Sequence, residues 1–132
     1  MKKGKLLNAA LSHLIAQLGH NDAIVIGDAG LPVPAGVLCI DLAVMRGLPS
    51  IAQVLEALES EMQVERMIIA TETLDANDGH MPAWLPIPWR NLPAEKISHE
   101  AFKLRNTRAR AVIRTGECTP YANIMLVAGV AF

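Results

Sequence analysis

The sequence has few cysteines and few charged residues for its 132 positions. Its two cysteines, Cys39 and Cys118, lie far apart and belong neither to a Cys-x-x-Cys pair nor to a Cys/His cluster with metal-ligand spacing. This argues against a disulfide scaffold and against a structural zinc site. Twelve Lys and Arg against thirteen Asp and Glu leave a net charge of -1. The chain therefore lacks the cationic field that binding to nucleic acid or to an anionic membrane would require.

Long hydrophobic runs are also missing, because no uninterrupted apolar stretch reaches the roughly 18 residues of a membrane-spanning helix. The first segment, MKKGKLLNAALSHLIAQLG, has the lysines and leucines of a secretory signal. Four polar residues interrupt its apolar stretch: Asn8, Ser12, His13 and Gln17. We therefore predict a mature cytoplasmic N-terminus.

Several common catalytic motifs are absent. The sequence contains no Gly-x-Gly-x-x-Gly fingerprint, P-loop, Gly-x-Ser-x-Gly elbow or His-Glu-x-x-His pair. Nucleotide, acyl-serine and zinc-hydrolase chemistry therefore lose support, and no metal site is predicted.

Apolar residues, in contrast, are abundant. The chain is 52% hydrophobic and 19% charged, whereas average soluble domains are about 25% charged. Its length suits one domain over residues 1–132. A single core of that size cannot easily hide so much apolar surface, so we expect part of it to meet another subunit.

Helix signals occur at three places. Apolar residues at steps of three and four predict a first helix, which ends in a left-handed cap at Gly19. These apolar residues are Leu7, Leu11, Leu14, Ile15 and Leu18. Ser50 and Gln53 have the spacing of a capping box and predict the start of a second helix. Ser98 is a candidate N-cap for a short third helix.

Short runs of branched apolar residues predict strands at 23–27, 37–41, 64–70, 111–114 and 124–130. The runs at 23–27 and 64–70 are typical of buried strands, and 23–27 has the pattern of a strand that is covered on both faces. Strands and helices alternate along the chain, which predicts an α/β fold in which helices flank a mostly parallel central sheet. Between Glu72 and Lys96 the pattern fails, and residues 81–93 (MPAWLPIPWRNLP) hold four of the eight prolines and both tryptophans. We predict a loop excursion there without a long helix.

Two polar residues stand next to predicted elements. His20 follows the first helix, whose C-terminal partial negative charge favours a protonated imidazole. It is a candidate proton donor, and the alternative is a cation that merely stabilises the helix end. Asp28 follows a buried strand, where open α/β sheets gather their ligands. Its carboxylate could bind hydroxyls or could form an Asx turn in the glycine-rich loop.

Two polar pairs lie later in the chain. His99 and Lys103 are four residues apart in the third helix and share one face, which could bind a polar ligand or simply be exposed. Tyr121 and Asn123 are two residues apart at the start of a strand and project from the same side. Their phenol and amide suit sugar hydroxyls, and the alternative is closure of the turn after Pro120.

These segments together resemble a known family. LGHND at 18–22, DAGLPVP at 28–34, SHEAFK at 98–103 and IRTGECTPYAN at 113–123 are similar to the ribose pyranase branch of the ribose pyranase and fucose mutarotase family. MKKGKLLN at the start, EMQVE in the middle and AGVAF at the end also match, in the same order. The resemblance covers nearly the whole chain.

The resemblance implies a cytoplasmic, cofactor-free enzyme that interconverts the pyranose and furanose forms of D-ribose. It also implies a homodecamer of two pentamers with active sites where neighbouring subunits meet. His20 resembles the catalytic proton donor of the family, and six positions resemble sugar-binding ones: Asp28, His99, Lys103, Tyr121, Ala122 and Asn123.

The mechanism expected from this resemblance is general acid/base ring opening. We predict that His20 protonates the ring oxygen and that Asp28 orients either His20 or the sugar. The group that takes the anomeric proton is left open, with a bound water as one candidate. Alternative functions are an L-fucose-type mutarotase, a pentose-binding accessory protein without catalytic duty, and an assembly protein whose polar motifs only cap and turn.

Overall fold

One six-stranded sheet organises the computed structural model, which describes residues 1–132. The strands in chain order are β1 (Ala23–Gly27), β2 (Leu38–Asp41), β3 (Val64–Ala70), β4 (Ala94–Ile97), β5 (Ala111–Arg114) and β6 (Ile124–Ala128). Their order across the sheet is β2-β5-β1-β6-β3-β4. Strand β6 runs antiparallel to its neighbours β1 and β3, and all the other pairs are parallel. The predicted α/β fold with a mostly parallel sheet is confirmed.

The strands that are buried in the middle of the sheet match the prediction most closely. β1, β3 and β5 have the predicted bounds, β2 begins one residue later, and β6 ends two residues earlier. β4 was not predicted. It lies at the edge of the sheet and pairs with β3 alone. Its polar residues Glu95 and Lys96 face solvent, so the sequence there has no apolar run.

Four helices accompany the sheet: α1 (Ala9–Gln17), α2 (Ile51–Glu59), α3 (Thr71–Asp75) and α4 (His99–Arg105). The capping box at α2 is confirmed, because the Ser50 hydroxyl accepts from the Gln53 N–H at 3.2 Å and the Gln53 side chain accepts from the Ser50 N–H at 2.9 Å. The N-cap of α4 is also confirmed, with the Ser98 hydroxyl accepting from the Ala101 N–H at 3.1 Å. None of the helices has the length and apolar character needed to cross a membrane.

The predicted left-handed cap at Gly19 is wrong. Helix α1 ends at Gln17, Leu18 is already extended, and the first left-handed residue is Asn21, with φ of 70°. The Asp22 carboxylate accepts the Gly19 N–H at 2.9 Å. This side chain closes the turn, so a left-handed glycine is not needed there.

The segment between Glu72 and Lys96 contains no long helix, as predicted. It holds most of the short helix α3, a 3₁₀ turn at Ile87–Trp89 and the start of β4. Leu85 and Trp89 are buried in the larger core cluster, which also contains apolar residues of α1 and α2. The Pro/Trp-rich segment is therefore packed into the larger cluster together with α1 and α2. Phe102 of α4 belongs to the smaller cluster.

The capping box allows a first test of the fold. Replacing Ser50 with alanine removes the acceptor for the Gln53 N–H, and we expect the free energy of unfolding to fall by about 1 kcal/mol. Urea denaturation at one fixed protein concentration measures the change. Ser50→Asp retains an N-cap acceptor and serves as the matched control. Equal stability of Ser50→Ala and the parent would contradict the assigned role.

Candidate functional site

Five strands have their carboxyl ends along one side of the sheet, where the amino end of β6 also lies. We call this side the carboxyl edge, as distinct from the edge strands β2 and β4. Asp28 follows β1 and Asn123 precedes β6, so residues 95 positions apart meet at this edge. The Asn123 amide nitrogen donates to Asp28 Oδ2 at 3.1 Å, and Asn123 Oδ1 accepts the Asp28 N–H at 2.9 Å. The structure thus brings together two of the predicted sugar-binding residues.

Asp28 also forms the Asx turn that was its alternative role. Its Oδ1 accepts the Gly30 N–H at 2.9 Å, so both carboxylate oxygens are engaged. Gly27 permits the close approach of Asn123, because a Cβ at that position would lie 3.0 Å from Asn123 Oδ1 and 2.5 Å from the Leu31 side chain. These contacts fix the direction of the carboxylate and leave lone pairs that can accept from a ligand.

Tyr121 and His99 form the second part of the site. We call Asp28, His99, Tyr121 and Asn123 the carboxyl-edge cluster. Their rings meet edge to face, with centroids 5.2 Å apart and planes at 81°. The Tyr121 residue is 41% exposed, whereas His99 Nδ1 is buried and has no hydrogen-bond partner. The imidazole also stacks on Phe102 at 6.3 Å. A phenol and an imidazole are side chains of the kind that bind hydroxyls.

The turn before β6 was the alternative explanation for Tyr121 and Asn123, and this turn is present. The Ala122 N–H donates to the Thr119 carbonyl at 3.3 Å, and the Asn123 N–H donates to the Tyr121 carbonyl at 2.8 Å. Ala122 and Asn123 are both 1% exposed. Ala122 is therefore a buried residue of this turn, between two residues whose side chains belong to the cluster.

Lys103 lies one turn beyond His99 on α4, as predicted. Its ammonium pairs with the Glu100 carboxylate on the same helix. The structure contains no hydrogen bond between Lys103 and the other predicted site residues.

Glu117 is a structural contributor that the sequence analysis missed. Its carboxylate accepts the N–H groups of Ile51, Cys118 and Thr119 and also the Thr119 hydroxyl. Burial raises the pKa of this carboxyl, but these hydrogen bonds outweigh burial and hold the pKa below its ordinary value. The Glu117 carbonyl accepts the Ala29 N–H at 2.8 Å. This residue therefore connects the loop that carries Asp28 to the loop that precedes Tyr121.

Glu72 was also missed, because it lies in the segment whose pattern predicted only a loop. Its carboxylate accepts the backbone N–H of His99 at 2.8 Å and the Thr71 hydroxyl at 3.2 Å. The hydrogen bond from the backbone N–H of Glu72 itself has the largest effect on the pKa of this carboxyl and lowers it. The bonds from His99 and Thr71 lower the pKa further and, together with the Glu72 N–H, outweigh burial. No local sequence signal links Glu72 to a residue 27 positions away.

His20 lies at the other end of the strands from the carboxyl edge. It precedes β1, whereas Asp28 follows β1, and five strand residues at roughly 3.3 Å each span about 16 Å. Its Nε2 is 2.9 Å from Glu65 Oε2, near the start of β3, and its side chain is 51% exposed. One copy of the chain therefore does not bring His20 to the carboxyl-edge cluster.

The carboxyl-edge cluster does not form a cavity in a single chain. Of the five cavities in the structure, none is lined by Asp28, His99, Tyr121 or Asn123. No group of three or more His, Cys, Asp or Glu side chains is arranged to hold a metal ion.

Known proteins similar to this chain cover its full length. The profile of the RbsD / FucU transport protein family matches residues 1–131. Proteins named D-ribose pyranase from Paracidovorax citrulli and Chloroflexus aggregans are 56% and 53% identical, with 100% of each chain covered. The structure of Bacillus subtilis RbsD complexed with D-ribose is 49% identical, with a TM-score of 0.91 over 100% of both chains. A Streptococcus pneumoniae fucose mutarotase in complex with L-fucose shares the fold at 20% identity, with a TM-score of 0.73 over 100% of both chains.

Proposed function

The chain belongs to the RbsD / FucU transport protein family, and from this membership we propose that it is an isomerase that interconverts the pyranose and furanose forms of D-ribose. The observation that carries the proposal is the full-length match to the ribose-bound Bacillus subtilis protein. Curated relatives named D-ribose pyranase support the same activity. The fucose mutarotase is a much more distant relative, so D-ribose is favoured over L-fucose as the substrate.

The chemistry requires a proton donor at the ring oxygen and an acceptor for the anomeric proton. The ring then opens to the aldehyde and recloses through a different hydroxyl. An imidazole changes its protonation near neutral pH and can donate the proton. We assign this step to His20, and a bound water is one candidate for the group that takes the anomeric proton.

Sugar binding is assigned to the carboxyl-edge cluster. Asp28 and Asn123 hold each other in place and can accept from and donate to hydroxyls. The His99 and Tyr121 rings lie beside each other and add an imidazole and a phenol to the site. Lys103 remains a candidate for an outer contact, and Ala122 supports the turn between Tyr121 and Asn123.

We further propose that the active site forms between two copies of the chain. His20 from one copy would reach the carboxyl-edge cluster of the next copy. This arrangement would account for the position of His20 and of the cluster at opposite ends of the strands in one chain. Leu38, Val44 and Met45 are exposed apolar residues on and beside the edge strand β2, and they offer surface for such contacts. A cytoplasmic decamer of two pentamers, the assembly that the family resemblance implies, would supply a neighbour to every site.

Exchange NMR on D-ribose tests the proposed activity. We expect the rate of exchange between pyranose and furanose signals to rise in proportion to the protein added, whereas heat-denatured protein leaves it unchanged. A binding protein without catalytic duty would shift or broaden signals without faster exchange. An assembly protein would show no saturable ribose binding. A larger acceleration for L-fucose than for ribose would contradict the substrate assignment.

A further inference from the structure

Consecutive residues of the short helix α3 bind the backbones of both aromatic residues of the carboxyl-edge cluster. Thr73 is 1% exposed, and its hydroxyl donates to the Tyr121 carbonyl at 2.6 Å. Glu72, its neighbour, accepts the His99 N–H at 2.8 Å. The backbones that carry the two rings are therefore held by adjacent positions of one helix.

Tyr121 needs such support because of its backbone conformation. Its φ of 59° lies in the left-handed region, which is disfavoured for a residue with a bulky side chain. Its carbonyl accepts two hydrogen bonds, from the Thr73 hydroxyl and from the Asn123 N–H at 2.8 Å. The Asn77 amide donates to the Thr73 carbonyl at 2.8 Å and secures the end of α3. These bonds stabilise the conformation that presents the phenol at the surface.

We propose that Thr73 is a positioning residue for the sugar site: its hydroxyl holds the Tyr121 carbonyl and thereby sets the Tyr121 ring against His99. The inference rests on the proposed function, in which Tyr121 and His99 bind ribose hydroxyls. Thr73 itself is buried behind Tyr121 and does not transfer protons. Loss of its hydroxyl should therefore weaken ribose binding more than it slows the chemical step.

Thr73→Val removes the hydroxyl and keeps the shape of the side chain. We expect the half-saturating ribose concentration to rise about 2- to 10-fold, the value of one net hydrogen bond, with a smaller change in the maximal exchange rate. Thr73→Ser retains the hydroxyl and should restore the parent value. Thr107→Val is the matched control, because the Thr107 hydroxyl also donates to a backbone carbonyl, that of Leu104 at 2.7 Å, but at the far end of α4.

A second readout does not depend on activity. Tyr121 is the single tyrosine of the sequence, so labelling with 3-fluorotyrosine produces one protein ¹⁹F signal. We expect Thr73→Val to move or broaden this signal in the absence of ribose, while Thr73→Ser and Thr107→Val leave it in place. If Thr73→Val does not fold, Thr73→Ser and Thr73→Ala supply the same comparison, since they differ by one hydroxyl.

The two readouts separate failure of this inference from failure of the proposed function. An unchanged ¹⁹F signal and unchanged half-saturation in Thr73→Val would overturn the positioning role, as would a serine variant that behaves like the valine variant. If the parent protein does not accelerate ribose exchange, the proposed function fails, and the ¹⁹F comparison still tests whether Thr73 orients Tyr121.

Discussion

Replacing His20 with alanine is expected to slow the catalysed exchange of ribose ring forms by about 10²- to 10⁴-fold, the usual contribution of a positioned proton donor. The imidazole is half-exposed and contacts Glu65 at the protein surface. Its removal leaves no cavity in the core, so the fold should be retained. Exchange NMR at neutral pH measures the rate, and circular dichroism checks the fold.

His13→Ala is the matched control for this variant, because His13 is also exposed and lies on α1, without a proposed role. We expect it to exchange ribose at the parent rate. Saturation-transfer NMR should also detect ribose bound to His20→Ala, since the carboxyl-edge cluster is intact. A His20→Ala protein that exchanges ribose as fast as the parent would remove His20 from the mechanism. Loss of binding together with loss of exchange would make it a binding residue instead.

The fold was largely predictable because burial leaves a pattern in the sequence. β1 and β5 lie inside the sheet, so almost all of their residues are apolar and their bounds could be predicted. β4 is an edge strand with exposed polar residues and leaves no such pattern. The end of α1 was mispredicted at Gly19, because the Asp22 side chain closes a turn that a glycine could also have closed.

Individual residues of the carboxyl-edge cluster could be selected from the sequence, but their arrangement could not be predicted. Asp28 and Asn123 could each be selected because they flank strands, yet their mutual hydrogen bonds depend on the strand order. Glu72 and Thr73 act through backbone groups of distant residues, and backbone contacts leave no signature in residue type. The separation of His20 from the cluster likewise follows from strand direction, which periodicity alone does not determine.

That separation leads to a prediction about mixtures of variants. Asn123 is buried and bonded twice to Asp28, so Asn123→Ala should weaken ribose binding and, like His20→Ala, lower the exchange rate strongly. If each site takes His20 from one copy and Asn123 from its neighbour, random mixed oligomers of the two variants regain about a quarter of the sites. Coexpression with two different affinity tags isolates these mixtures, and exchange NMR measures the recovery. Light scattering checks that each variant assembles like the parent.

The matched control is a coexpressed mixture of the parent chain with the double variant His20→Ala, Asn123→Ala. Sites shared between copies retain about a quarter of the parent activity in an equal mixture, whereas sites within one chain retain about half. The two mixtures therefore show the same fraction of the parent activity only when each site is shared between two copies. No recovery in the first mixture, combined with half activity in the second, would place His20 and Asn123 in the same copy. Such a result requires a movement of about 16 Å along β1, which a strand hydrogen-bonded on both sides to β5 and β6 does not permit without unfolding the sheet.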